Sequence, residues 1–99
     1  MEEVKLQIDS QGNGFFLILE GDERIAEMEI NIAGNDLTVF HTEVLQKAEG
    51  RGLGKELLAG MVDYARKNQL KVFALCPFVH AQFKRHAKEY ADVWKNINE

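Results

Sequence analysis

Residues 49–58, EGRGLGKELL, place three glycines within five positions and pass directly into an amphipathic run. From Leu53 onward the apolar positions are Leu53, Leu57, Leu58, Met61, Val62 and Ala65. That is the three-to-four spacing of a helix with one buried stripe, and Asn68 is where it is expected to stop. Upstream of the glycines the period is two. Leu37 to Val44 is rich in β-branched and aromatic residues and reads as a strand. Ile25 to Ile32, Phe15 to Leu19, and the stretch carrying Val4, Leu6 and Ile8 read as three more, separated by turn-forming clusters at residues 10–14, 21–22 and 33–36. Downstream, Leu70 to Leu75 reads as a fifth strand, Cys76-Pro77 opens a second helix from about Phe78, and Tyr90, Val93 and Trp94 lie at helical spacing in a third helical segment over Lys88 to Ile97.

This order makes an α+β domain. The fourth and fifth strands, joined through a helix, are expected to be parallel with a right-handed crossover, and the remaining strands antiparallel. The 99 residues are 45% hydrophobic with one proline, which suits one compact domain over residues 1–99 with a thin core and a ligand held in a cleft. A net charge of −4 disfavours nucleic acid as a partner. No run approaches a membrane span, and the opening MEEVKLQID lacks the regions of a signal peptide, so a cytoplasmic location is expected. The lone Cys76 fits a reducing compartment, and one cysteine with three scattered histidines offers no zinc-ligand spacing.

A helix start leaves backbone N–H groups without partners and carries partial positive charge, so an anion placed there is stabilised. Glycine lets the backbone approach and permits positive φ, which allows successive amides to converge on one phosphate. Two familiar phosphate loops are excluded. A P-loop ending at Gly54-Lys55 would need glycine at 49 and Ser or Thr at 56, where this chain has Glu49 and Glu56. A dinucleotide fingerprint would need a different glycine spacing and would follow the first strand of a parallel sheet. A glycine connection that serves only the turn remains open at this point.

The run from Val44 through Gln46, Glu49, Gly50, Arg51, Gly52, Leu53 and Gly54 resembles the acyl-coenzyme A loop of the GNAT superfamily of N-acetyltransferases: a strand ending in an apolar residue, then Gln/Arg-x-x-Gly-x-Gly/Ala, then a helix. Gly52 and Gly54 match the motif glycines, and Glu49 departs from its Gln or Arg. With Phe40 to Val44, Cys76 to Val79 and His86 to Tyr90, the chain is similar to a small GNAT-like subfamily, and the resemblance runs from about Phe15 onward. It implies a mixed, mainly antiparallel sheet whose fourth and fifth strands splay to admit coenzyme A. Pantetheine would pair with the strand near Thr42, Glu43, Val44 and Leu45, and the pyrophosphate would meet the amides of Gly50, Arg51, Gly52, Leu53, Gly54 and Lys55. Lys47, Arg51 and Lys55 are local cations that could assist.

Cys76, at a helix start that favours a thiolate, becomes a candidate for general acid, general base or acyl acceptor. His41, a side chain that exchanges protons near neutrality, becomes the candidate acceptor of the amine's proton. His80 and His86 are expected in solvent. Phe83 stands where larger acetyltransferases often carry a tyrosine, and a short hairpin replaces their inserted helices. The resemblance thus implies acetyl-CoA as the bound small molecule and transfer of its acetyl group to an unidentified amine. Acyl-CoA binding without turnover is the alternative. A monomer or weak homodimer is expected.

Overall fold

The computed structural model describes residues 3–96. Five strands form one sheet in the order β1 (Lys5–Ile8), β2 (Asn13–Glu20), β3 (Glu23–Ala33), β4 (Asp36–Val44), β5 (Lys71–Ala74). β1 to β4 pair antiparallel, and β4 and β5 pair parallel through the intervening helix α1 (Leu53–Lys67). A second helix, α2 (Pro77–Arg85), follows β5. The strands and both of these helices fall where the apolar periods place them, within a residue or three at their ends.

Both helices cover one face of the sheet. Ile18, Ile25, Met28, Leu37, Val39 and Val72 on the strands are at most 2% exposed, as are Leu57, Met61, Ala65, Val79 and Phe83 on the helices, and all belong to one core cluster. Each fully buried large side chain contributes roughly 1.5–3 kcal/mol through lost apolar hydration. The opposite face, called the outer face below, carries Lys5, Gln7, Arg24, Glu29, His41 and Glu43, all exposed. The smallest dimension of 20 Å matches a sheet with helices on one side.

Two register shifts bend the sheet. Ile18 pairs with Ala26 and Leu19 with Arg24, which makes Ile25 an extra residue on β3. Glu29 pairs with His41 and Ile30 with Val39, which makes Phe40 an extra residue on β4. Such bulges re-aim side chains and end pairing locally.

The third helical segment is not a helix. Residues 86–93 form successive turns, with the Tyr90 N–H donating to the His86 carbonyl, and Trp94 then lies in a parallel bridge with Val72. The reason is the free edge of β5. The Val72 N–H donates to the Val93 carbonyl at 2.7 Å and the Val72 carbonyl accepts from the Lys95 N–H at 2.9 Å, which requires extended chain where the spacing alone suggested helix. Tyr90 and Trp94 instead stack on Phe83, with ring centroids 4.8 and 5.8 Å away. Ile97, at the end of the expected segment, lies outside the described residues.

Asn68 caps α1 as expected, and the helix closes through Gln69 at φ 58°. The Leu70 N–H reaches the Ala65 carbonyl at 2.8 Å, the closing bond of a left-handed C-terminal cap.

Candidate functional site

β4 leaves the sheet at Val44 and makes a single 3-10 turn at Gln46–Ala48, whose Ala48 is buried. The Ala48 and Glu49 amides are spent inside that turn, on the Leu45 and Gln46 carbonyls. Gly50 then takes φ 86° and Gly52, the N-cap of α1, takes φ 76°. A side chain at either would meet open space, so it is backbone conformation that calls for glycine there. Gly54 has a different reason: a Cβ at that position would lie 3.3 Å from the Phe78 ring of α2.

Among the described residues, the N–H groups of Gly50, Gly52, Leu53, Gly54 and Lys55 have no hydrogen-bond partner; the first bond of the helix is the Glu56 N–H to the Gly52 carbonyl at 3.1 Å. No side chain caps this end. The amides border an open depression of about 420 Å³ lined by Val44, Ala48, Glu49, Gly50, Gly52, Leu53, Gly54, Lys55 and Phe78. Unpaired donors, a helix dipole and room beside them are what an anion requires.

The local cations are arranged unequally. Lys47 pairs with Glu23, and Arg51 pairs with Glu20 at 3.2 Å. Lys55, exposed in the first turn of α1, has no side-chain partner among the described residues.

The depression reaches the end of β4 at Val44 and the first turn of α2 at Phe78, and next to these elements the sheet opens between strands. β4 and β5 pair from Asp36↔Lys71 to Val39↔Ala74 and no further. At the end of the ladder the Val39 carbonyl accepts two amides, those of Leu75 at 3.0 Å and Cys76 at 2.9 Å, and the chain turns away into α2. β4 itself runs on beside β3, and the Leu45 N–H donates to the Ile25 carbonyl. Because successive peptide groups of a strand point to opposite sides, the amides of Thr42 and Val44 face the side that β5 has left. The splay expected of the fourth and fifth strands is therefore present.

Cys76 caps α2 with Pro77 at its first position. Its thiol is 2% exposed, and Sγ lies 3.4 Å from Thr42 Oγ1, across the gap from β5 to β4. His41, the neighbour of Thr42, is on the other face. It is paired across from Glu29 and lies 4.0 Å from Glu43 Oε1, with both side chains more than half exposed. The gap thus has the Thr42–Cys76 pair on its helix side and His41 with Glu43 on its outer side. His80 and His86 are exposed on and after α2, His80 with its ring 5.8 Å from Trp94.

Two contributors were not legible in sequence. Phe78 closes the depression against Gly54, and nothing but its place after Pro77 pointed to it. The bulge at Phe40 sits inside an unbroken β-branched and aromatic run, which carries no mark of an extra residue. Among the described residues no group of three His, Cys, Asp or Glu side chains is placed to hold a metal ion, and no helix is long and apolar enough to cross a membrane.

Comparison with known proteins agrees with this geometry. The family model for GCN5-related N-acetyl-transferases matches residues 14–93. The solution structure of a GCN5-like protein from Staphylococcus aureus is similar at 28% identity and a TM-score of 0.66, covering 96% of this chain and 89% of that one. Two structures share the fold at lower identity. The ribosomal-protein-S18-alanine N-acetyltransferase of Escherichia coli is 18% identical with a TM-score of 0.60, over 67% of this chain and 43% of that one. A ribosomal-protein-alanine N-acetyltransferase of Brucella melitensis is 14% identical with a TM-score of 0.63, over 92% and 69%. No curated protein matches this chain.

Proposed function

The chain belongs to the GCN5-related N-acetyltransferase family, and on that footing we propose that it binds acetyl-CoA between β4 and β5 and transfers the acetyl group to an amine. The observation that carries this is the row of unpartnered amides at Gly50 and from Gly52 to Lys55, opening on the depression that is bordered by Val44 at the end of β4 and by Phe78 of α2. These amides would hold the pyrophosphate, with Lys55 and Arg51 nearby as cations, and Glu49 would stay turned to solvent. The free edge of β4, at Thr42 and Val44, would hold the pantetheine amides as an added strand does, while the backbone groups of Glu43 and Leu45 turn to β3.

Acetyl-CoA supplies an activated acyl group as a thioester. Around it the chain's own residues orient, polarise and move protons. Backbone amides on the free side of β4 polarise the carbonyl oxygen, as donors aimed at a developing negative charge do. His41 takes one proton from the amine on the outer side. As the C–N bond forms and the C–S bond breaks, Cys76 gives its proton to the departing sulfur, and the second proton shed by the nitrogen restores the balance. Proton donation suits Cys76 better than carrying the acetyl group, because the thiol is buried and already engaged with the Thr42 hydroxyl.

The test is a coenzyme A titration followed residue by residue, with coenzyme A release from acetyl-CoA then measured against a panel of amines. Amide shifts concentrated at residues 42–55 and at Cys76 and Phe78, with release above the hydrolytic background, are expected. No shift between Glu49 and Lys55 rejects the cofactor site; binding without release makes the chain a binding module. Mass spectrometry after incubation with acetyl-CoA separates the two roles of Cys76. An acetyl group on the wild-type protein that is lost in Cys76→Ala would establish acyl transfer through the thiol.

A further inference from the structure

We propose that Thr42 is a positioning residue for the transfer: its hydroxyl donates a hydrogen bond to the Cys76 sulfur, which leaves the S–H hydrogen free for the departing sulfur and stabilises the charge Cys76 then carries. The inference rests on the acetyl-transfer reading and adds a side chain to it. The first observation is where Cys76 sends its sulfur. Cys76 is the N-cap of α2, a position whose side chain ordinarily accepts a hydrogen bond from the first turn of the helix, yet no side-chain cap is made there. Sγ lies instead 3.4 Å from Thr42 Oγ1, on the strand across the gap. The main chain fixes that approach, because the Cys76 N–H donates to the Val39 carbonyl at 2.9 Å. Cys76 is buried and Thr42 half-buried, so the hydroxyl is the more open of the two partners.

The second observation is the extra residue at Phe40. Met28 and Ile30, two positions apart on β3, both face the core, and their partners on β4 are Thr42 and Val39, three positions apart. In an unbroken ladder the residue opposite Met28 would be His41, and Thr42 would stand on the outer face, because alternation has a period of two. The bulge moves the alternation by one step. It turns His41 to the outer face and brings Thr42 to the helix side, where Cys76 is. The two side chains chosen by chemistry therefore owe their separation to one additional residue, and what that residue sets against the sulfur is a hydroxyl.

Either atom of the pair is able to donate. An S–H aimed at Thr42 would point away from the departing sulfur, whereas a hydroxyl that donates to Sγ leaves the S–H hydrogen available. As the C–N bond forms and the C–S bond breaks, the electron pair stays on the coenzyme A sulfur, the Cys76 proton moves to it, and Cys76 becomes a thiolate. The O–H···S bond then has a charged acceptor and strengthens. A contact that is stronger once the proton has moved lowers the barrier without tightening the binding of substrate. The second proton shed by the amine nitrogen returns Cys76 to the thiol.

The experiment measures coenzyme A release from acetyl-CoA with butylamine, spermidine and a lysine-containing peptide, and carries the fastest of them into Thr42→Val and Thr42→Ser. Valine keeps the shape and removes the hydroxyl; serine keeps the hydroxyl and removes the methyl group. Thr42→Val is expected to lower kcat by roughly 10–100-fold, the worth of a hydrogen bond to a charged group, with the KM for acetyl-CoA unchanged. Thr42→Ser should restore most of the loss. Alkylation of Cys76 by iodoacetamide, which consumes the thiolate and needs no acetyl-CoA, should also be slower in Thr42→Val than in wild type. A role in packing alone predicts the opposite order, with serine worse than valine, and that order overturns the proposal. So do an unchanged kcat or an unchanged alkylation rate in Thr42→Val, and so does a Thr42→Val protein that no longer binds coenzyme A. Each of these outcomes leaves the transfer reading standing as long as wild-type protein releases coenzyme A. Absence of release from wild type with all three amines removes both.

Discussion

Toward β3, strand β4 is paired from Asp36 to Val44, whereas toward β5 its pairing runs from Asp36 to Val39 and stops. One strand therefore serves two purposes. Its β3 side, with Leu37 and Val39 fully buried, is part of what makes the domain stable. Its other side, from Phe40 onward, leaves peptide groups unpaired next to the glycine loop. An unpaired edge is ordinarily a hazard for association with other chains. Here it is short, it is walled by Cys76 and α2, and its neighbours Glu29, Glu43 and His41 are polar. Stability and ligand contact are thus divided between the two edges, and substitutions should separate them.

The largest expected effect is on the fixed side. Phe83→Ala empties a site that is fully buried and stacked with Tyr90 and Trp94. It should lower unfolding free energy by about 3–5 kcal/mol, measured by urea denaturation. If it weakened coenzyme A binding without moving the urea midpoint, the division of labour would be wrong. Gly52→Val acts on the open side. A β-branched residue at φ 76° costs roughly 1–2 kcal/mol, and misplacing the helix amides should reduce coenzyme A affinity by at least about tenfold, the worth of one hydrogen bond to a charged group. Calorimetric titration reads it, and unchanged affinity would show that this loop does not hold the phosphate.

Smaller changes sharpen the same contrast. Gln69→Gly relieves a non-glycine left-handed residue far from the gap. It should raise stability by up to about 1 kcal/mol and leave binding unchanged. Asp92→Asn has the smallest effect. The hydrogen bond and charge of Arg66 hold the Asp92 carboxyl below its ordinary value. A carboxyl depressed in the folded state contributes stability that is present above its unfolded value and lost as pH falls through the folded one. Because the pair is exposed and screened, removing it should flatten the stability profile below about pH 4 by only a few tenths of a kcal/mol. Thermal melts between pH 2 and 7 would show this, and coenzyme A affinity at neutral pH should not follow.

The strands, α1 and α2 were legible because each buries one face, and burial imposes a period on the sequence. The glycine loop was legible for a related reason: positive φ at Gly50 and Gly52 disfavours residues with a Cβ, so the backbone leaves its mark on composition. What could not be read is geometry decided by partners distant in the chain. Tyr90, Val93 and Trp94 have helical spacing, yet pairing with the outer edge of β5 at Val72 and stacking on the Phe83 ring decide their conformation. The extra residue at Phe40 is visible only against the β3 register. His41 and Cys76 were both picked out by chemistry, but that they stand on opposite sides of the gap follows from alternation along β4 and from the contact of Thr42 with Cys76.

The doubly bonded carbonyl of Val39 acts as a rivet, and the distance from it to the first glycines works as a ruler. Whatever lies along the cleft is measured off by the peptide units between that oxygen and the start of α1. A single residue inserted there would leave the anchorage at one end intact, shift the other by a step and reverse which side chains look inward. Tolerance of this stretch to substitution but not to changes in length would be the signature of such a gauge.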